Sequence, residues 1–323
     1  MEKKGDRKMK ILKSVQKVPG GLMVIPLLIG ATLNTFVPSA LEIGGFTTAL
    51  FKSSATALIA LFCLCNAAQI NVRQAGTTLA KGVALTGIKF VLGAIIGILV
   101  GKFCGSAGII GLTPLAIVAA MTNSNGGLYA ALAGQYGDAS DVGAISILSI
   151  NDGPFLTMVA LGAAGLANIP IMALVACVIP IVIGFILGNL DEDIRELLGK
   201  GTVLPIPFFA FALGTGLKWT QILEAGAPGI VLGVATTVIT GIGGYFVLKA
   251  MKVKNPAVGA AIGTTAGNAV GTPEALALAD PTLSGVVAIS TVQIAAAIIV
   301  TAICCPLLVS YLDRRESSKA KEK

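Results

Sequence analysis

The sequence predicts an all-α, polytopic membrane protein. It would have ten transmembrane helices in two inverted five-helix repeats, with helices four and nine broken and crossing. Composition is the first reason: 55% of the 323 residues are hydrophobic, 12% are charged, and mean hydropathy is +0.88. Soluble domains carry about 25% charged residues. Nearly uncharged segments of about 20 residues, the length that crosses a bilayer as a helix, recur along the chain. None alternates polar and apolar as barrel strands do. The last reason is a weak internal repeat whose two halves each contain one interrupted span.

The spans fall at about 19–38, 46–71, 79–103, 113–135, 141–165, 169–190, 203–222, 227–251, 256–278 and 285–312. A basic stretch precedes the first, "VPGGLMVIPLLIGATL" from Val18, and no small-residue cleavage site follows, so it reads as a retained span and not a signal peptide. Span two carries Lys52 near one end, where its stem can snorkel to the interface. Span three has Gly93, Gly97, Gly101 and Gly105 at four-residue spacing, and span eight starts with Gly229 and Gly233; both are helix-contact patterns. Between spans six and seven, "NLDEDIRELLGK" from Asn189 is a solvated amphipathic turn. Trp219, near the end of span seven, fits an interfacial anchor.

Charge distribution tests this count. With the N-terminus cytoplasmic, Lys3, Lys4, Arg7, Lys8, Lys10, Lys13 and Lys17 lie inside. Arg73, Lys81, Arg195, Lys200, Lys249, Lys252 and Lys254 fall in or beside inner loops, and Arg314, Arg315, Lys319, Lys321 and Lys323 follow the last span. Nineteen of the 23 Lys and Arg are then on one side, as the positive-inside rule expects. The net charge of +7 is thus a property of tails and loops and does not indicate nucleic acid. Six Cys lie in apolar runs without metal or disulfide spacing, and no His is present to relay protons. No metal or other cofactor is expected. An intramembrane enzyme lacks candidate residues, since no Ser–Lys or paired Asp motif stands out, and no phosphate loop indicates nucleotide hydrolysis.

Four matches in order suggest a duplication. "IPLLIGATLN" at Ile25 pairs with "IPIVIGFILG" at Ile179, and "RQAG" ending at Gly76 with "LEAG" ending at Gly226. "AAMTNSNGG" at Ala119 pairs with "AAIGTTAGN" at Ala260, and "AIS" at Ala144 with "AIS" at Ala288. An odd number of spans per half requires the second half to be inverted, which is characteristic of secondary transporters. The division is then a basic tail at 1–18, one repeat at 19–165, its inverted partner at 166–312, and a second cytoplasmic tail at 313–323.

The chemistry concentrates in spans four and nine. Thr122, Asn123, Ser124, Asn125, Gly126 and Gly127 form one polar, flexible run inside span four. Its mate, "GTTAGNAVGTPEALALAD" from Gly263, holds Thr264, Thr265, Asn268 and Thr272. Asn125 to Gly127 suit the start of a new half-helix, and Thr272 before Pro273 reads as an N-cap and first helical residue. Paired interruptions in two repeats point to a midplane binding site, and half-helix N-termini favour an anion. Close helix packing alone would not require six such residues in succession.

Two acids lie within spans. Asp152, in "SINDGPFLTM", reads as a proton-binding or gating residue, or as a structural partner of Lys89 in span three. Glu274 is placed either to favour a helix start electrostatically or to bind a proton or cation. For Lys89, attraction of an anionic substrate and snorkelling both stand.

Several segments together resemble the 2-keto-3-deoxygluconate permease family. They are "VPGGLMVIPLLIGATLNTF" from Val18, "TNSNGGLYAALAGQYG" from Thr122, "GPFLTM" from Gly153, "LGNLDEDIRE" from Leu187 and "IPFFAFALG" from Ile206. The resemblance covers nearly the whole chain. It implies proton-coupled uptake of the sugar-acid anion 2-keto-3-deoxygluconate across a bacterial inner membrane, with both termini cytoplasmic. It also implies kinship with the bile acid:sodium symporter fold, in which a panel of helices 1, 2, 6 and 7 moves against a core of helices 3–5 and 8–10. The alternative is sodium coupling to another organic anion, with Asn, Ser and Thr oxygens and Glu274 as ligands. Two departures stand out. The family pattern reads Glu-Ser-Gly-Pro where this chain has Asn151-Asp152-Gly153-Pro154, which moves the acid about 100° around a helix. Glu274 lies outside that pattern.

Overall fold

The computed structural model describes residues 10–15, 17, 21–70, 76–148, 151 and 153–321. Among them the chain is helical, and the only β-type pairing is the bridge Ile109–Leu112. The α-helices are α1 (Ile11–Val15), α2 (Gly21–Phe36), α3 (Gly45–Phe51), α4 (Ala55–Ala67), α5 (Gly76–Cys104), α6 (Pro114–Thr122), α7 (Gly126–Tyr136) and α8 (Ala139–Gly143). They continue as α9 (Ile145–Leu148), α10 (Phe155–Ala163), α11 (Ile171–Leu190), α12 (Glu192–Gly199), α13 (Pro205–Gly214), α14 (Trp219–Ala250), α15 (Thr272–Ala279) and α16 (Ser284–Lys321).

Five helical stretches are long and apolar enough to cross a membrane singly, and α3 with α4 makes a sixth span bent by 58°. This is fewer than the ten expected, for a physical reason. Span one, as α2, has only 16 residues, span four is divided into α6 and α7, span five into α8, α9 and α10, and span nine into 3-10 turns and α15. Broken pieces fall below the length of a bilayer crossing. Other boundaries also shift. Span seven ends at Gly214, α14 starts at Trp219 with Pro228 inside it, and α16 runs beyond the predicted end of span ten.

Two groups of helices pack. One joins α2 with α13 and α4 with α11; the other joins α5, α6, α14 and α16. The first is held by glycine contacts in pairs. A Cβ on Gly30 of α2 would lie 2.3 Å from Phe211 O, and one on Gly184 of α11 would lie 2.0 Å from Leu64 O. Gly30 and Gly184 are the repeat mates noted in the sequence. Asn34 Nδ2 donates to Leu217 O at 3.0 Å, and Asn189 Nδ2, one residue past the mate of Asn34, donates to Ile70 O at 2.8 Å. In α5, Gly93, Gly97 and Gly101 face Met121, Val118 and Leu166 at sub-contact distances. Gly105 does not continue that stripe: at φ +68° it follows the last residue of α5, in the left-handed conformation that favours glycine at helix ends.

The turn after α7 carries a buried ion pair. Lys81 Nζ lies 2.6 Å from Asp141 Oδ1, with both side chains buried, and 3.5 Å from Asp138 Oδ1. Asp138 and Asp141 form a capping box at the start of α8. The Ser140 hydroxyl, then the Asp141 amide and Lys81, hold the Asp138 carboxyl below the usual range. Its contribution is therefore present at neutral pH and lost only as pH falls through that lowered value. Lys81→Met leaves Asp141 buried and unpaired, with an expected loss of about 3–5 kcal/mol. Thermal unfolding in detergent should show recovery in the Lys81→Met/Asp141→Leu double variant.

Candidate functional site

The site begins where α6 stops. Thr122 is its last residue, and Asn123 and Asn125 are extended, at φ −91° and −76°. Asn125 then caps α7, its Oδ1 accepting from Leu128 N at 3.0 Å. Gly126 opens that helix with Gly127 beside it; a Cβ on Gly127 would lie 3.7 Å from Asn125 Oδ1. Short side chains in a polar run thus release the helix and restart it within three residues.

Span nine is opened further. A 3-10 turn, Pro256–Ile262, leads through Gly263 to Ala266 into a second one, Gly267–Gly271, and then α15. Thr272 is not the N-cap that the sequence implied. Gly271 occupies that place and Thr272 is the first residue of α15, at φ −62° and ψ −44°. The preceding turn runs into α15 without extended backbone, so the hydroxyl makes no cap bond.

The two breaks supply each other's missing partners. Asn125 N donates to Thr264 Oγ1 at 2.9 Å, and Thr265 Oγ1 donates to Ala120 O at 3.2 Å. Ala266 N donates to Asn123 O at 3.3 Å. Residues of spans five and ten bond one break each: Asn151 Nδ2 donates to Thr122 O, and Thr301 Oγ1 of α16 accepts from Thr265 N at 3.0 Å. Lys89 Nζ donates to Ile262 O at 2.5 Å and Thr264 O at 2.6 Å. Lys89 is 1% exposed, so it does not snorkel.

Asn123 Oδ1, Ser124 Oγ, Asn151 Oδ1, Asn268 Nδ2 and Thr272 Oγ1 are buried and make no hydrogen bond to any described residue, and neither do Thr236 Oγ1 and Thr237 Oγ1 of α14. An unsatisfied buried group costs about 1–3 kcal/mol, so a cluster of them is the expected mark of a polar ligand or water site. Asn151, Thr157 and Thr301 were not singled out from sequence. Thr157 Oγ1 lies 3.4 Å from Thr122 Oγ1. The order of the repeat offers a signal for Thr301, since it stands to the second break as Asn151 stands to the first.

Asp152 lies outside the described residues. Its neighbour Gly153, at φ +129°, closes on Cys63 of α4, whose Sγ would be 2.9 Å from an added Cβ. Glu274, half-buried in the first turn of α15, lines two cavities. One, of about 230 Å³, lies between α4, α10, α11 and α15 and reaches Cys63, Pro154 and Gly271. The other, of about 340 Å³, lies between α13, α15 and α16. No cluster of metal-ligating His, Cys, Asp or Glu occurs among the described residues.

A family model described as 2-keto-3-deoxygluconate permease matches residues 12–318. The chain belongs to the 2-keto-3-deoxygluconate permease family. It is 54% identical to the 2-keto-3-deoxygluconate permease 1 of Salmonella typhimurium, over 97% of this chain and 98% of that one. It is 39% identical to the 2-keto-3-deoxygluconate permease of Bacillus subtilis, over 97% and 96% of the two chains. Relatives in this family are thus named as transporters and not enzymes. A sodium proton antiporter of Methanocaldococcus jannaschii shares the fold at a TM-score of 0.58 and 13% identity, covering 94% of this chain and 93% of that one.

The interlock carries a direct test. Thr264→Val keeps the shape but strands the Asn125 amide, at an expected cost of about 1–3 kcal/mol. Asn125→Ala removes the α7 cap for about 1 kcal/mol. Asn125→Ala removes only the side-chain cap and Thr264→Val only the acceptor of the backbone N–H, so in thermal unfolding the double variant should be less stable than either single variant.

Proposed function

We propose that the protein takes up 2-keto-3-deoxygluconate, or a similar sugar-acid anion, together with a proton by alternating access. The observation that carries this reading is the cluster of unpartnered polar atoms between two interlocked helix breaks. A carboxylate fits there, because the N-terminus of α7 brings partial positive charge to a site with little water to compete. Thr122 to Gly127, Thr264, Thr265, Asn268 and Thr272 form the substrate cradle. Names borne by the relatives supply the substrate class.

In this reading Asp152 carries the coupling charge, with Glu274 as a second acid. Both cavities beside α15 present the Glu274 carboxylate, which opposes an anion unless it holds a proton or cation. The cavity between α4, α11, α10 and α15 serves as a path between a panel and a core, each built from both inverted repeats. The close approaches of Gly30 to Phe211 O and of its mate Gly184 to Leu64 O support that duplication. Both termini face the cytoplasm in a bacterial inner membrane.

Sodium coupling is the second reading. It is favoured by four unpartnered oxygens, those of Asn123, Ser124, Asn151 and Thr272, since hard cations take oxygen ligands. Uptake into proteoliposomes under a sodium gradient alone, and then a pH gradient alone, separates the two.

Asp152→Asn should abolish proton-driven accumulation while leaving exchange measurable; undiminished uphill uptake would reject the coupling role. In a thermal-shift screen of the purified protein, 2-keto-3-deoxygluconate should stabilise and neutral sugars should not.

A further inference from the structure

Lys89 is the feature this reading leaves unused. It sits mid-way along α5, fully enclosed, and among the described residues it makes no ion pair. Its ammonium instead donates to the carbonyls of Ile262 and Thr264. Ile262 ends a 3-10 turn, and its carbonyl accepts Thr264 N at 2.7 Å as well as the Lys89 ammonium. A cation at such an end meets the partial negative charge of the terminating turn.

Thr264 passes this grip on. While its carbonyl binds Lys89, its hydroxyl accepts the amide of Asn125, and Asn125 caps α7. One buried charge therefore reaches both breaks through a single residue. α14 passes the same break from another side, with Thr237 O and Gly241 beside Gly263.

The ionisable groups on the packed elements are otherwise engaged. Cys305 of α16 points its thiol at Ala260 O and Ala261 O. Tyr129 of α7 donates to Asp141 O, and Tyr245 of α14 donates to Glu316 Oε1, which also receives Lys249. Lys81, on α5 itself, is paired with Asp138 and Asp141 of the α8 turn. Asp152, adjacent to Asn151, is outside the described residues. Among the described residues no carboxylate reaches the Lys89 ammonium; bound only to carbonyls it is charged at a high desolvation cost, and an anion arriving at the break offsets that cost. By reciprocity, the protonated form then binds the anion more tightly.

We propose that Lys89 is a positioning residue whose proton is taken up with the substrate anion: protonated, it locks both breaks into the anion-binding arrangement, and neutral, it releases them. This rests on the anion-uptake reading above and adds a protonation site to the one assigned there to Asp152.

Binding of 2-keto-3-deoxygluconate is measured by calorimetry in buffers of different ionisation enthalpy, which counts protons taken up. Asp152→Asn should retain part of the uptake. Lys89→Arg, which cannot lose its charge, should bind with the Lys89 share of the uptake gone and with a flattened alkaline limb. Lys89→Gln should bind at least about tenfold more weakly at every pH. Full wild-type proton uptake and an unchanged pH profile in Lys89→Arg would overturn the proposal.

Should Lys89→Arg not fold, wild-type hydrogen exchange decides. After correction for intrinsic rates, protection of the Asn125–Leu128 amides should fall as pH rises through the range where binding is lost. Constant protection there would overturn it. Absence of binding by any sugar acid would instead sink the anion reading, while the exchange measurement still reports on Lys89.

Discussion

Backbone N–H and C=O groups have no water to bond within hydrocarbon, and each one left bare there costs several kcal/mol. Two interrupted helices at one depth expose such groups twice over. The structure resolves this by placing the interruptions against each other. Asn125 N meets the Thr264 hydroxyl, Ala266 N meets Asn123 O, and the Thr265 hydroxyl meets Ala120 O. Asn151, Thr301 and Lys89 add bonds to Thr122 O, Thr265 N and the Ile262 and Thr264 carbonyls. The breaks are stable only as a pair, so whatever loosens one loosens the other.

The rest of the fold serves that arrangement. Close glycine contacts let α5 run against α6, and α14 against α16, so that the helices carrying Lys89 and Thr301 sit tight against the breaks. Thr113, at the start of α6, is fixed to Ser290 and Gln293 of α16 at 2.7 Å and 3.1 Å. The other helix group, around α2, α4, α11 and α13, meets this one across an apolar cluster that includes Met23, Leu27, Ile59 and Phe209. Among the described residues the hydrogen bonds at this boundary include Trp219 of α14 to Thr32 and Thr35 of α2, at 3.1 Å and 3.2 Å.

Much of this was legible from the residues. Polar side chains and glycines have a high cost in a lipid-facing span, so the run from Thr122 to Gly127 announced a break, and its mate followed from the repeat. Gly93, Gly97 and Gly101 were read correctly because their spacing alone brings small residues to one face. Other features were not legible, for physical reasons. The partners of Lys89 lie more than 170 positions along the chain, and no local pattern tells a lysine bound to carbonyls from one that snorkels. Thr272 misled because Thr-Pro is a good helix start in isolation, yet the 3-10 turn before it was already helical. Asn151 was overshadowed by the acid beside it. Gly105 fitted the spacing of its neighbours, but the helix had ended one residue earlier.

The account stands or falls on where the anion sits. A cryo-electron microscopy map of the protein with 2-keto-3-deoxygluconate bound tests this most directly. The carboxylate should lie within hydrogen-bond distance of Asn123 to Gly127 and of Asn268 or Thr272, with both helices still interrupted. Density for the substrate elsewhere, or continuous helices through these residues, would contradict it.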